Sequence, residues 1–276
     1  MMDRYAVLGN PVSHSKSPQI HAAFARQTGE EIAYEAIYVP TDEFAAGASD
    51  FIEGGGRGFN VTLPFKQEAW QWVGRSSARA QAAGAVNTVS VDQDSATTGD
   101  NTDGSGLIAD ITHNQQWPIE GSEILVVGAG GAVRGVLQSI LSARPGRLVI
   151  TNRTFDKAEK LADDFKFMGD ISALPVSALH DPFDLIINGT SASLQGDVPN
   201  LDGSIIKSSS RCYDMMYAAH ATPFNRWAAS LGANSTSDGL GMLVEQAALA
   251  FEIWRGTLPQ TRPVIDLVRS QLQKEQ

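Results

Sequence analysis

The sequence predicts an α/β protein built in two parts, and three observations carry that expectation. Strand-like and helix-like patterns alternate along the whole chain of 276 residues. Continuous apolar runs in its second half, such as "FDLIIN" and "RCYDMMY", suit a parallel sheet covered on both faces. A glycine-rich turn, "VVGAGGAVRG", sits between one such strand and a helix.

The first strand is "YAVLG" at residues 5–9. Ser17-Pro18 then reads as an N-cap and first-turn proline, opening a helix to about Thr28. "AYEAIYV" at 33–39 alternates as a half-buried strand, and residues 41–52 form a helix that stops at the triple glycine 54–56. "FNVT" is the next strand. It meets Pro64, where the chain turns, and hands over at Lys66 to a helix carrying Trp70 and Trp72. Residues 85–91 and the segment up to Asp100 make a hairpin around the polar "DQDSATTGD". Thr102 or Asp103 caps a helix running toward His113.

The character changes after "QQWPIEG". From Glu123 to Ile150 the pattern is strand, glycine turn, helix, strand, followed by strands at 183–188 and 211–217. Near Asp238 begins a long helix, "GMLVEQAALAFEIWRG". A last amphipathic helix follows Pro263, with Val264, Leu267, Val268 and Leu272 on one stripe.

Composition narrows the function classes. Hydrophobic residues at 42% and charged residues at 19% describe a soluble globular chain rather than a disordered one. A formal net charge of -10 argues against nucleic acid or an anionic membrane as partner, since either needs a basic face. An anionic ligand must therefore be held by a local cluster of donors. Cys212 is the single cysteine, so neither an internal disulfide nor a cysteine metal cluster can form, and a reducing cytoplasm is the expected compartment. The first residues lack the apolar stretch of a signal peptide, and no run is long and apolar enough to span a membrane. The five histidines show no ligand spacing, and His14 reads as a solvated loop residue, so no metal site is expected.

The glycine turn has a specific physical purpose. Gly128 allows the tight turn, the next glycines let backbone approach a pyrophosphate, and helix N-terminal amides then face the anion, which makes Gly128, Ala129, Gly130, Gly131 and Ala132 the expected cofactor-binding residues of the turn. Val133 stands where a third glycine would complete the pattern. Cofactor choice is read about 20 residues past the turn, where enzymes that use NAD place an acid on the ribose hydroxyls. Here "VITNRTFDK" puts Asn152, Arg153 and Thr154 at that point, with Lys157 one turn on. A carboxylate would repel a 2'-phosphate, whereas these donors would bind one, so NADP is expected.

In the first half, polar clusters fall at "SHSKSP", "NVTLPFK", "AVNT" and "DNTDG", each beside a predicted strand end, which is where ligands bind in α/β sheets. "GNPVSHSKSPQIH", "FNVTLPFK", "GAVNT", "DNTDG", "GAGGAVRG", "NRT", "YDMMY" and "DGLGMLVEQAALAF" together, in order and over the full length, resemble the shikimate dehydrogenase family. The resemblance implies interconversion of 3-dehydroshikimate and shikimate with NADPH and NADP, in aromatic amino-acid biosynthesis. It implies a discontinuous substrate domain, residues 1–103 with 239–276, and a Rossmann-like doubly wound nucleotide domain, 104–238, with a cleft between them. Carried over residue by residue, the carboxylate-binding hydroxyls fall on Ser15 and Ser17, and the ring-hydroxyl contacts on Thr62, Asn87, Asp103 and Gln246, with Tyr217 nearby. The catalytic lysine falls on Lys66 with Asp103 as its partner, and Met215 and Gly239 lie near the nicotinamide. Lys157 stands where many members have arginine, exchanging a bidentate phosphate clamp for a point charge.

Plainer roles remain open for several of these residues. Asp103 and Ser17 make good helix caps, Asn87 a turn residue, Tyr217 a core aromatic and Gln246 a polar point on an apolar helix. Against the family reading stand an enzyme that also oxidises quinate or uses NAD, and an NADP-binding regulator that has lost the chemistry. A homodimer is one assembly open to the chain, and the sequence carries no signal that selects it.

Overall fold

A computed structural model describes residues 2–275 and divides the chain into two compact units, Met1–Gly106 with Val244–Ser270, and Leu107–Leu243 with Gln271–Gln276. The expected α/β architecture holds, with one six-stranded sheet in each unit. No described helix is long and apolar enough to cross a membrane.

The first unit builds its sheet from β1 (Asp3–Gly9), β2 (Ile32–Tyr38), β3 (Gly56–Val61), β4 (Arg75–Ser76), β5 (Thr88–Val91) and β6 (Thr97–Asp100), in the order β2-β1-β3-β5-β6-β4. β1, β2 and β3 are parallel, and β5 and β6 form the expected antiparallel hairpin, with Thr88 opposite Asn60 and Asp100 opposite Thr88. That register brings the ends of β1, β3 and β6 and the start of β5 to one sheet edge. Helices α1 (Ser17–Thr28), α2 (Phe44–Glu53), α3 (Lys66–Trp72) and α4 (Ala78–Ala83) connect them. One core packs Leu8, Phe44, Phe51, Phe59, Phe65 and Val89. A second, aromatic layer sets Tyr5 on Trp254, ring centroids 4.7 Å apart, and His21 on Tyr34 at 4.2 Å. Arg255, one residue on from Trp254, is bonded to Asp3, Tyr5 and Glu30, so the C-terminal segment is fastened to the first strand.

Ser17 is not the cap of α1. Lys16 already has helical backbone (φ −86°, ψ −4°), which starts the helix at Ser17 itself, and the Ser17 amide is taken by Ser15 Oγ at 3.3 Å. Pro18 does fall in the first turn. The second helix begins at Phe44 rather than residue 41, because Asp42 takes a left-handed turn conformation (φ 72°).

The second sheet is wholly parallel, with strands β7 (Glu123–Val127), β8 (Arg147–Thr151), β9 (Ile171–Ala173), β10 (Leu185–Asn188), β11 (Arg211–Asp214) and β12 (Ser235–Asp238) in the order β12-β11-β10-β7-β8-β9. Order reverses at β7, the doubly wound arrangement whose switch point lies at the carboxyl ends of β7 and β10. Helix α5 (Asp103–Ala109) runs into a π-helical turn, Asp110–Asn114, ahead of β7. α6 (Gly131–Ser142), α7 (Phe155–Phe165) and α8 (Pro223–Ser230) follow, then α9 (Leu240–Arg255) and α10 (Arg262–Lys274). The buried apolar faces of β7, β8 and β10 explain their continuous hydrophobic runs: Leu125, Val127, Val149 and Ile186 share one core with Phe183 and Phe224. The chain passes from one unit to the other inside α5, again inside α9 and once more inside α10.

Candidate active site

In the first unit the shared sheet edge carries the polar clusters. Lys66 opens α3, immediately after the turn that follows β3, and its side chain is 27% exposed. Its Nζ donates to Asp103 Oδ2 at 2.6 Å, and the Asp103 side chain is 13% exposed. The other carboxylate oxygen accepts from Asn87 Nδ2 at 2.8 Å. Both oxygens of Asp103 are therefore held by named donors, which fixes the carboxylate plane and the direction of the amine. A lysine amine carries three protons, so with one on Asp103 the others remain to serve a ligand.

Asn87, 2% exposed, is the centre of this cluster. Its Oδ1 accepts from the Thr102 amide and the Thr88 hydroxyl, each at 2.9 Å. Its Nδ2 also reaches Thr102 Oγ1 at 2.9 Å and Gln246 Oε1 at 3.2 Å, which brings α9 into the network. Asp103 is the first residue of α5, yet its carboxylate turns to Lys66 and Asn87 instead of capping the helix. Thr62, one residue past β3, gives its backbone amide to Leu8. Ser15 and Ser17 follow β1 on the same edge, Ser17 buried. The structure thus joins Lys66, Asn87, Asp103 and Gln246 in one hydrogen-bonded group and sets Ser15, Ser17 and Thr62 along the edge beside it.

Tyr217 belongs to the second unit and is not part of that group. It is half-buried beyond β11, and burial together with the Asp238 charge raises its pKa above the ordinary phenol value.

The sequence pattern offered Thr102 only as a helix cap and gave Asn60 no role of its own. Asn60 Nδ2 donates to the Asn87 carbonyl and to Thr88 Oγ1, each at 3.1 Å, while its Oδ1 accepts from Tyr34 at 2.7 Å. The available signal was an asparagine inside the apolar strand "GFNVT", since a polar side chain on a covered strand needs partners.

In the second unit, Gly128 follows β7 in a conformation (φ 114°) that favours glycine. Gly130 and Gly131 have open space where a side chain would stand, and α6 starts at Gly131 with Ala132 and Val133 in its first turn. Among the described residues no side chain caps this helix start, which leaves its first backbone amides to meet an anion. Val133 is fully buried, so its branched side chain packs inward and does not obstruct the turn. Beyond β8 come Asn152, Arg153 and Thr154, with Asn152 Nδ2 bonded to the Thr154 carbonyl at 2.8 Å and Lys157 exposed on α7. Gly128, Asn152, Arg153 and Thr190 line a cavity of about 710 Å³. Its size suits a nucleotide, and Arg153 in the acid-free stretch Asn152, Arg153, Thr154 beyond the strand suits a phosphorylated ribose. Met215, 7% exposed, and Gly239 meet at the ends of β11 and β12, where a side chain on Gly239 would stand 2.2 Å from the Met215 carbonyl oxygen.

Comparisons with known proteins converge on one family. Residues 7–89 match the family model described as shikimate dehydrogenase substrate binding domain. Residues 110–195 match shikimate/quinate 5-dehydrogenase, and 239–269 match shikimate 5'-dehydrogenase C-terminal domain. A protein of Alkalilimnicola ehrlichii named shikimate dehydrogenase (NADP(+)) is 51% identical over 269 residues, covering 98% of this chain and 99% of its own. One of the same name from Cellvibrio japonicus is 49% identical over the full length of both chains. Among solved structures, an Ael1 enzyme from Pseudomonas putida superposes with a TM-score of 0.91 at 41% identity, covering 98% of each chain. Shikimate 5-dehydrogenase from Thermus thermophilus, in complex with NADP(H) and shikimate, superposes at 0.88 with 32% identity, covering 98% of this chain and 99% of that one.

Proposed function

The chain belongs to the shikimate dehydrogenase family, and on that premise we propose that Lys66 is the acid–base residue of its reaction, oriented by Asp103. The enzyme is an NADP-dependent oxidoreductase that interconverts 3-dehydroshikimate and shikimate in aromatic amino-acid biosynthesis. The first unit serves as the substrate domain and the second as the nucleotide domain. The observation that carries the reading is the 2.6 Å bond from Lys66 Nζ to an Asp103 carboxylate whose other oxygen is fixed by Asn87.

When bound, NADPH supplies the hydride. The carbonyl oxygen gains negative charge as its carbon is reduced, and the Lys66 ammonium stabilises that charge and then gives up a proton to it. In the oxidative direction Lys66 takes the hydroxyl proton instead. Asp103 keeps the amine aimed through both transfers and offers its carboxylate to a substrate hydroxyl. Asn87, Gln246 and Thr62 present the remaining ring-hydroxyl partners, Ser15 and Ser17 bind the substrate carboxylate with hydroxyls, and Tyr217 adds a further contact. On the nucleotide side, the 128–132 turn takes the pyrophosphate, Asn152, Arg153, Thr154 and Lys157 take the 2'-phosphate end, and Met215 and Gly239 take the nicotinamide. The same reading makes this a cytoplasmic enzyme, and sedimentation tests whether it works as a homodimer.

Removing a general acid costs about 10²- to 10⁴-fold in rate. Lys66→Ala should lose at least that much in kcat while the dissociation constant of shikimate changes little. A variant with near-normal kcat would sink the assignment. Paired kinetics with shikimate and quinate under NADP and NAD measure the selectivity.

A further inference from the structure

Asp214 ends β11 with its side chain fully buried, and the acid–base chemistry gives it no task. Its Oδ1 accepts from Asn188 Nδ2 at 3.0 Å and from the Met216 amide at 3.1 Å. Its Oδ2 accepts from the Ser193 hydroxyl at 2.6 Å, and the Thr222 hydroxyl adds a further bond. These donors come from separate segments: the end of β10, the turn after it, the residue beyond Met215, and the cap of α8. A buried carboxylate is tolerated only when its acceptor positions are filled, so the four segments are held in one arrangement.

That arrangement surrounds Met215. The Met215 amide donates to the Asn188 carbonyl at 2.8 Å, and a side chain on Gly189 would stand 3.2 Å from the Met215 sulfur. Gly239 closes from the other side, its amide bonded to the Met216 carbonyl at 3.1 Å. Asn188 Oδ1 also accepts from the Thr190 amide at 3.1 Å and the Thr190 hydroxyl at 2.7 Å, which fixes the start of the 190–195 turn. Thr190, Ser191, Ala192 and Gln195 of that turn line the nucleotide-sized cavity.

We propose that Asp214 is a positioning residue for the nucleotide: its carboxylate locks Met215 and the 190–195 turn into a single preformed wall. Binding is strengthened when the receiving surface needs no ordering, because the cost of arranging it is already met in folding. The inference rests on the reading that Met215 lies beside the nicotinamide.

Ser193→Ala and Asp214→Asn test it, with Ser193 on the turn as the variant that leaves β11 intact. Three quantities are read: the dissociation constant of NADPH by fluorescence titration without substrate, that of shikimate by calorimetry without nucleotide, and the melting temperature. Each variant should weaken NADPH by about tenfold, the scale of losing one hydrogen bond to a charged group, and leave shikimate unchanged. Ser193→Thr, which restores the hydroxyl, should recover most of the affinity. A fall in melting temperature with NADPH affinity held within about twofold would reduce Asp214 to a structural role and overturn the inference. Equal weakening of both ligands would overturn it too. Met215→Ala separates the two layers of the argument. If that variant binds NADPH normally and turns over normally, the placement of the nicotinamide fails and the inference with it. A damaged Met215→Ala beside silent Ser193 and Asp214 variants removes the inference alone.

Discussion

His21 should make this protein lose stability in mild acid. Its imidazole is wholly buried on α1, stacked on Tyr34 at an interplanar angle of 7°, with Trp254 at 5.4 Å. Neither ring nitrogen has a hydrogen-bond partner among the described residues. Burial pulls its pKa down to about 3, and the nearby Asn60 side chain, outside hydrogen-bond geometry, acts in the opposite direction as the smaller of the two influences. In the unfolded chain the value is about 6.5. A histidine with a depressed folded pKa leaves stability intact above the unfolded value and takes it away as pH falls, because only the unfolded state accepts the proton. Between those two pKa values the slope approaches about 1.4 kcal/mol per pH unit, so moving from pH 8 to pH 5 removes about 2 kcal/mol. The perturbation that isolates it is His21→Phe, a similar-sized ring that cannot titrate. Urea unfolding of both proteins, followed by circular dichroism at several pH values, gives the difference in stability as a function of pH. Burial raises the pKa of Asp110 and Asp214, which has the opposite sign, but both groups are present in each protein and cancel in the difference. The wild type should lose about 2 kcal/mol relative to His21→Phe across that range. A difference flat to within about 0.5 kcal/mol would refute the claim that the folded state excludes the imidazolium.

Two further substitutions probe the nucleotide unit. Arg153→Ala removes the cation at the tip of β8, and kcat/KM for NADPH relative to NADH should fall about 10- to 100-fold, the scale of a charge-assisted hydrogen bond; an unchanged ratio would show that another residue selects the cofactor. Gly241→Ala puts a methyl 2.0 Å from Asp110 Oδ1, inside a buried carboxylate that Tyr213 holds by a 2.6 Å bond to Oδ2 and Asn114 by a 3.0 Å bond to Oδ1. Alanine favours a helix over glycine by about 1 kcal/mol, but displacing a bonded, buried carboxylate costs about 3 kcal/mol or more, so the variant should be strongly destabilised. A melting temperature within about 2 °C of wild type would contradict that balance.

The sequence was most legible where chemistry imposes residue types at short range. The strand–glycine–helix unit at 123–150 and the missing acid beyond β8 could be read without any structure, because turn geometry and phosphate charge dictate them. Lys66 opens α3, where the helix dipole disfavours a cation, and that misfit is a signal carried by the local sequence. Its pairing with Asp103, 37 residues away, came only from the resemblance to a known family, and the bond of Asn87 to Gln246, 159 residues away, is visible only in the structure, since local pattern says nothing about such distances. The edge strands β9 and β12 were missed for a physical reason. Each is short, and "STSD" in β12 shows no apolar alternation, in keeping with a strand whose first three residues are only partly buried. Ser17 was misread as a cap because Ser-Pro is a sound start signal in general, and nothing in the sequence reveals that Lys16 is already helical. Asp214 was visible as the acid in "YDMMY", but its burial and its donors were not.

The bonds from Arg255 to Asp3 and Glu30, and the stack of Trp254 on Tyr5, have a consequence for how the molecule is made. A ribosome emits residues in order, so β1 and α1 emerge long before the helix that must cover them. Synthesis proceeds at about 5–20 residues per second, and the stretch separating Gly106 from Val244 keeps the first unit waiting on the order of 10 s. During that interval Tyr5, His21, Phe24 and Tyr34 have no α9 to pack against, while all the strands of the intervening parallel sheet emerge before the segment that completes the first unit. The unit begun first therefore cannot close until α9 has emerged, and the nascent chain carries the uncovered aromatic face of its own beginning through that wait.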